Sequence, residues 1–392
     1  MVTEEQIRQA LRQVLDPEIG KPIEDLGMLQ AIAVDGGHVT VDVLLTIAGC
    51  PLRERIDSDV RGALEPVQGV EGVTVRLGEM TEQQRQAMVA TLRGGNGGGH
   101  EGHAHAGHAH AQAAGPPQPQ TYFSDGKTAV IAVASGKGGV GKSSVTTNLA
   151  TALAAEGHRV GILDADVWGF SVPRMMGASG QPVAFNNMIL PLEAHGVRII
   201  SMGFFVPEEQ PVIWRGPMLH KAVQQFLGDV YWGELDFLLC DLPPGTGDVS
   251  LSMASFLPGA SMLVVTTPQE AARRVAERAG KMAAQVRQRV VGVIENMSWF
   301  ECPHCGDRTE IFGQGGGLEA AQTLQVPLLG QIPLHPPLRE GADTGTPLVL
   351  REPDSAAGRA LIEAARQLAR LTKTTVGKPL QLTVAPGAGA GR

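Results

Sequence analysis

Residues 136–143 read Gly136-Lys137-Gly138-Gly139-Val140-Gly141-Lys142-Ser143, and this octet decides the fold. It fits the pattern G-x-x-x-x-G-K-[ST]. An apolar run, 128–134 (TAVIAVA), precedes it, and a helical stretch over 143–156 follows. Strand, loop and helix in that order are the context in which such an octet binds phosphate. Glycines let the backbone curl until its N–H groups face phosphate oxygens, and the helix N-terminus adds partial positive charge. Lys142 is then expected on the β- and γ-phosphates and the Ser143 hydroxyl on Mg2+. Gly136, Lys137, Gly138, Gly139, Val140, Gly141 and Ser144 complete the expected cradle.

Working outward, short and nearly continuous apolar runs recur at 160–163, 197–201, 237–240, 261–266, 290–294 and 328–332. Such runs suit parallel strands buried on both faces. Helical patterns at 218–227, 268–286 and 356–371 lie among or after them, so 121–375 is predicted to be a doubly wound, mostly parallel α/β domain. Two acidic strand ends join the phosphate site. Asp166, in LDAD, is the candidate for orienting an attacking water. Asp241, in LLCD, matches a Walker B aspartate holding Mg2+. The loop DLPPGTGD that Asp241 opens is expected to sense the γ-phosphate. No lysine is followed two places later by Asp, so the guanine-reading pattern N/T-K-x-D is missing and ATP is favoured.

Ahead of this domain, residues 1–92 carry helical patterns at 3–15 and 52–64 and strand patterns at 39–47 and 73–77, a small α+β domain. Residues 93–120 hold eight Gly, six Ala, five His and three Pro, too little apolar surface for a core. They read as a flexible tether, and its His100, His103, His105, His108 and His110 as a tract able to bind metal. Residues 376–392 read as a loose tail.

Composition narrows the function. The 392 residues carry a net charge of −8 and only 4% aromatic residues, which disfavours a nucleic-acid or anionic-membrane binder. MVTEEQIRQA lacks the apolar core of a secretory leader, and no apolar run approaches the roughly 20 residues of a membrane helix. A cytoplasmic protein with reduced thiols is expected. Its four cysteines are then candidates for metal or redox chemistry rather than a disulfide framework.

Cys302-Pro303-His304-Cys305-Gly306 is the second strong chemical signal. Two thiolates at this spacing grip one metal or one edge of a cluster, and Pro and Gly shape the turn. Iron–sulfur, zinc and a redox dithiol all fit the spacing. A closed site needs about four ligands, and the pair supplies two, so two chains giving Cys302 and Cys305 each is the simplest completion. Cys240 reads as a buried strand residue. Cys50, followed by Pro51 at a helix start, is a candidate for transient cluster or metal handling.

KGGVGKS resembles the deviant P-loop of the MinD, ParA, ArsA and nitrogenase iron-protein superfamily. Further stretches narrow the likeness: WRGPM at 214–218, YWGELDFLLCDLPPGTGD, TTPQEAA, ENMSWFECPHCG and IPLHPPLREGADTGTPLV. In this order they resemble the bacterial Mrp/ApbC proteins over nearly all of 121–370. DPEIGKPIEDLGM and LLTIAGCPL resemble the small domain fused to the front of many of them. The resemblance implies ATP-binding iron–sulfur cluster carriers, with a bridging [4Fe–4S] cluster on the paired cysteines of a homodimer. It also implies slow ATP hydrolysis and delivery to acceptor apoproteins in exchange with scaffold proteins. By the same resemblance Lys137 reaches across the dimer to the partner's nucleotide, and Asn296 contacts adenine. A ParA/MinD-like positioning ATPase and a zinc- or nickel-handling ATPase are the alternatives.

Overall fold

The computed structural model describes residues 2–46 except Glu18, 53–94, 122–205 except 167, 168, 186 and 187, 216–245, 253–269, 278, 280, 283, 286, and 288–372 except Pro303. Cys50, the histidine tract, the tail, Trp214 and Arg215, the end of DLPPGTGD and most of the predicted helix 268–286 lie outside them. The chain divides into two compact units, one of 1–112 with 183–190, the other of 113–182 with 191–392.

In the first unit, helix α1 (Glu4–Leu11) starts in a capping box. The Thr3 hydroxyl accepts from Gln6 N–H, and the Gln6 side chain returns to the Thr3 amide. Two otherwise orphaned donors are satisfied this way. The helix stops at Leu11 instead of running to 15. Ile23 N–H donates to the Val14 carbonyl, and Leu15 bridges to Pro22, so 14–15 join an extended pairing. Strand β1 (Leu29–Asp35) pairs antiparallel with β2 (His38–Leu45), and β2 pairs parallel with β3 (Gly72–Glu79). Along β2 the buried Val39, Val41, Val43 and Leu45 alternate with more open residues, the period of a sheet with one core face. Helix α2 (Arg53–Leu64) buries Ile56, Val60 and Leu64 on one stripe. A third helix, α3 (Glu82–Gly94), was not read from the sequence and ends two residues inside the segment expected to be tether.

The second unit is the doubly wound sheet. Its described strands are β4 (Ala129–Ser135), β5 (Val160–Asp164), β8 (Leu192–Ala194), β9 (Val197–Ser201), β10 (Phe237–Asp241), β11 (Ser261–Thr266), β12 (Arg289–Glu301), β13 (Arg308–Thr309) and β14 (Leu328–Leu334). The strands β6 (Ala184–Phe185) and β7 (Met188–Ile189), which group with the first unit, form a separate antiparallel ribbon. The sheet order is β13-β12-β11-β4-β10-β5-β9-β8, with β14 also on β12, and only β8 and β13 run antiparallel to their neighbours. Every residue of β4, β5 and β10 is buried, as strands covered on both faces must be. Helix α4 (Lys142–Ala155) buries Val145, Leu149 and Leu153 against one face, and a later helix, Ala356–Thr372, buries Leu361, Ala365 and Leu368 in the same core. The chain leaves β4 for β5 past the position of β10. The carboxyl ends of β4, β10 and β11 therefore surround a crevice where an open α/β sheet binds its ligand.

Candidate functional site

The P-loop leaves the end of β4 and enters α4, as the octet predicts. Gly139 and Gly141 hold φ of 78° and 79°, a left-handed conformation that side chains other than glycine resist. The loop lines a cavity of about 180 Å3 together with Ser135, Asp166, Met175 and Pro244. Lys137, Gly138, Val140, Lys142, Ser143 and Ser144 all face that cavity, which Gly136 does not line.

At its floor the charged groups satisfy one another. Lys142 Nζ lies 2.6 Å from Asp241 Oδ1 and 4.0 Å from Asp166 Oδ2. Ser143 Oγ donates to Asp241 Oδ2 at 2.6 Å, and Thr146 Oγ1 donates to Asp241 Oδ1 at 3.0 Å. Asp241 is fully buried and Lys142 is 5% exposed, so this ion pair stands where an unpaired charge would be costly. Asp164, paired in register with Asp241 across β5 and β10, is 1% exposed. It accepts Ser201 Oγ–H at 2.9 Å and the Asp166 amide at 3.2 Å. Burial first, then the neighbouring Asp241 charge, pushes the Asp164 carboxyl up to about 8.

These residues fit a magnesium nucleotide. The Ser143 hydroxyl and Asp241 Oδ2 lie 2.6 Å apart, two hard oxygen donors of the kind Mg2+ takes directly or through its waters. The Lys142 ammonium already supplies positive charge at that carboxylate.

Lys137 is held within its own chain, where Nζ donates to Gln269 Oε1 at 2.5 Å. Asn296, 2% exposed, donates from Nδ2 to the Val140 carbonyl at 2.9 Å, and its Oδ1 accepts the Met297 amide at 3.0 Å. It thus stands against the P-loop itself. Thr146, Asp164, Ser201 and Gln269 had not been assigned roles from the sequence. Thr146, one residue past the adjacent Ser143-Ser144-Val145, carried a legible signal: it lies on the same helix as Ser143 and three residues on. Gln269 and Ser201 carried none, because each reaches the site from a distant strand end.

The cysteine pair sits elsewhere. β12 and β13 form a hairpin in which Phe300 faces Thr309 and Glu301 faces Arg308. The tip is closed by Cys302 N–H to the Asp307 carbonyl and Gly306 N–H to the Cys302 carbonyl, both 2.9 Å. Gly306 holds φ of 75° to allow this turn. Both thiols are free, Cys302 half-buried and Cys305 exposed. The Cys302 thiol is held below its ordinary range by the Cys305 and His304 backbone amides, then by the Cys305 thiol. The Cys305 thiol donates to Asp307 Oδ2 at 3.4 Å. Among the described residues no three His, Cys, Asp or Glu side chains group closely enough to hold a metal ion. Cys240 is a buried strand thiol, raised by burial and then by Asp241. No described helix is long and apolar enough to cross a membrane.

Residues 127–369 match the ParA family model described as a NUBPL iron-transfer P-loop NTPase, and 4–76 match one described as an iron–sulfur cluster assembly protein. An iron–sulfur cluster carrier protein of Mycobacterium leprae is 48% identical over 383 residues, covering 96% of this chain and 95% of its own. The mouse iron–sulfur cluster transfer protein NUBPL is 44% identical over 254 residues, 64% of this chain and 80% of its own. Among solved structures, a nucleotide-binding protein of Archaeoglobus fulgidus in complex with ADP is 40% identical, with a TM-score of 0.51, over 56% of this chain and 88% of that one. A phosphate loop with its acidic partners in place, a CxxC hairpin on the same sheet and these likenesses agree: the chain belongs to the family of iron-transfer P-loop NTPases and cluster carriers of the Mrp/ApbC type.

Proposed function

We propose that this protein carries a [4Fe–4S] cluster between two copies of itself, receives it from scaffold proteins and passes it to acceptor apoproteins, with ATP binding and slow hydrolysis gating the exchange. The carrying observation is the hairpin tip: two free thiols, one held toward thiolate by backbone amides, and no further ligand grouped beside them among the described residues. A four-thiolate cluster then takes Cys302 and Cys305 from each of two chains. The related proteins named as cluster carriers support this choice over zinc or a redox dithiol.

In this reading Lys142 and the P-loop amides bind the phosphates, and Ser143 and Asp241 hold Mg2+. Asp166, at the cavity wall, orients the attacking water, and Lys137 leaves Gln269 to reach the partner's nucleotide. ATP binding favours one arrangement of the pair and hydrolysis the other, which is a population shift rather than a chemical step on the cluster. Cytoplasmic placement follows from thiols that must stay reduced.

Anaerobic reconstitution with iron and sulfide tests the reading. The wild type should take up about four irons per two chains, and Cys302→Ser and Cys305→Ser should take up almost none. Zinc without sulfide in anaerobically purified protein, or a strictly single-copy iron-loaded form, would refute it.

A further inference from the structure

Strand β12 does two jobs. Its inner part, through Glu295, is paired with β11, the last partners being Thr266 and Glu295. Its outer part, 296–301, leads directly to Cys302 and has left β11: β14 continues along one edge, Asn296 with Ile332 and Phe300 with Leu334, while the short β13 takes the other, Phe300 with Thr309 and Glu301 with Arg308. Three consecutive residues stand at the change. Glu295 is clamped, accepting from Gly317 N–H at 2.5 Å and Gln331 Nε2 at 2.8 Å. Asn296, on the opposite face of the strand, is tied to the P-loop carbonyl of Val140. Met297 then adopts φ of 59°, unusual for an unbranched side chain, and the ladder to β14 shifts register between Asn296 and Phe300.

The P-loop is shaped to accept this contact. A side-chain carbon on Gly141 would overlap Asn296 Nδ2 and would lie 3.9 Å from Met297 Cε. Glycine is required there both for its φ and for the approach of Asn296. Phosphate binding engages the loop amides around Val140, whose N–H groups face the ligand. The carbonyl that Asn296 holds belongs to the same peptide run.

We infer that Asn296 is a positioning residue: it transmits the state of the P-loop through Val140 to the outer half of β12, and so sets the exposure of the Cys302 and Cys305 thiols. The fulcrum is Glu295, fixed from two sides, and the moving arm is 297–301. Phosphate groups, not the adenine base, are the signal. This inference rests on the carrier reading above, but its test uses the cluster-free protein.

The reduced full-length protein is alkylated with iodoacetamide at a concentration where sedimentation shows single copies, and Cys302 and Cys305 rates are read by peptide mass spectrometry. Mg-ATP and Mg-tripolyphosphate, each at saturation, should change the Cys302 rate by at least about fivefold, the lower end of ordinary site-to-site coupling. Adenosine should leave it unchanged. Asn296→Asp keeps the shape and the acceptor for Met297 N–H but removes the donor to Val140. At a Mg-tripolyphosphate concentration shown to saturate the variant itself, it should abolish the response. A variant that still responds overturns the inference, as does a wild type that responds to adenosine but not to tripolyphosphate. Should Asn296→Asp fail to fold, hydrogen exchange of wild-type residues 298–301 decides: protection unchanged by Mg-tripolyphosphate overturns it too. A wild type that shows the coupling but takes up no iron would refute the carrier reading and leave the coupling standing.

Discussion

The P-loop cavity and the cysteine hairpin lie on one sheet, and they are finished to different degrees. Around the cavity the buried polar groups are satisfied within the chain: Lys142 with Asp241, Ser143 and Thr146 on the same carboxylate, Ser201 on Asp164. At the hairpin the thiols are open, with only local turn contacts around them. A buried polar cluster must be self-consistent to exist at all, because each unpaired member carries a desolvation penalty. An exposed pair of ligands has water as its alternative partner and can wait for a metal and a second copy. The cavity is therefore completed by folding, whereas the hairpin, on the function proposed above, is left to assembly.

The contrast predicts that substitutions of similar size differ sharply in cost. Lys142→Ala leaves Asp241 buried without its cation and should lower stability by about 3–5 kcal/mol, with loss of nucleotide binding. Thermal melting and titration with a fluorescent ATP analogue check this. A variant as stable as wild type would mean the cavity charges are not mutually required. Gly141→Ala places a side chain at φ of 79° against Asn296 and should cost about 1–3 kcal/mol, read by chemical denaturation.

The buried Asp164 gives the cavity a pH signature of its own. Its folded pKa, about 8, lies above that of the unfolded chain. The associated stability is therefore fully present below the ordinary carboxylate range and is lost as pH rises through about 8. Nucleotide-free protein should melt higher at pH 6 than at pH 8, with a slope of at most about 1.4 kcal/mol per pH unit. Asp164→Asn should flatten that slope; an unchanged slope would assign it to other groups.

Gln269→Ala removes the acceptor that holds Lys137 in its own chain. One hydrogen bond from a part-buried ammonium is worth roughly 1 kcal/mol net. ATP-dependent pairing at low protein concentration should therefore strengthen severalfold, measured by sedimentation. Weaker pairing would make Gln269 a supporting contact rather than a competing one. At the other end of the scale, Cys305→Ser should shift stability by no more than about 0.5 kcal/mol while abolishing iron uptake. A large loss of stability there would show that the hairpin is part of the core after all.

Much of this organisation is legible along the chain. The octet at 136–143, its strand and its helix are contiguous, so local spacing carries the reading. The apolar runs at 197–201 and 261–266 became strands with those same bounds. The run at 290–294 was too short a reading of β12, which continues through the polar residues Glu295, Asn296 and Ser298 to Glu301. Glu295 and Asn296 are buried because Gly317, Gln331 and the P-loop carbonyl of Val140 receive their side chains, and no alternation of apolar and polar residues announces that. Helix α1 was overextended because the apolar positions Val14 and Leu15 continue the helical period, while a pairing with Pro22 and Ile23 wins.

What the amino-acid order determines by itself is the chemistry available: a phosphate loop with Lys142 and Ser143, acidic strand ends at Asp166 and Asp241, and two thiols at a spacing that grips one metal. These depend on neighbours within a few residues, where covalent geometry does the placing. Only the tertiary structure decides that Asp164 stands beside Asp241, that Gln269 holds Lys137, and that Asn296 rests on Val140. Those pairs are separated by tens to more than a hundred residues, and the order of strands in the sheet, not any local pattern, brings them within a hydrogen bond of each other.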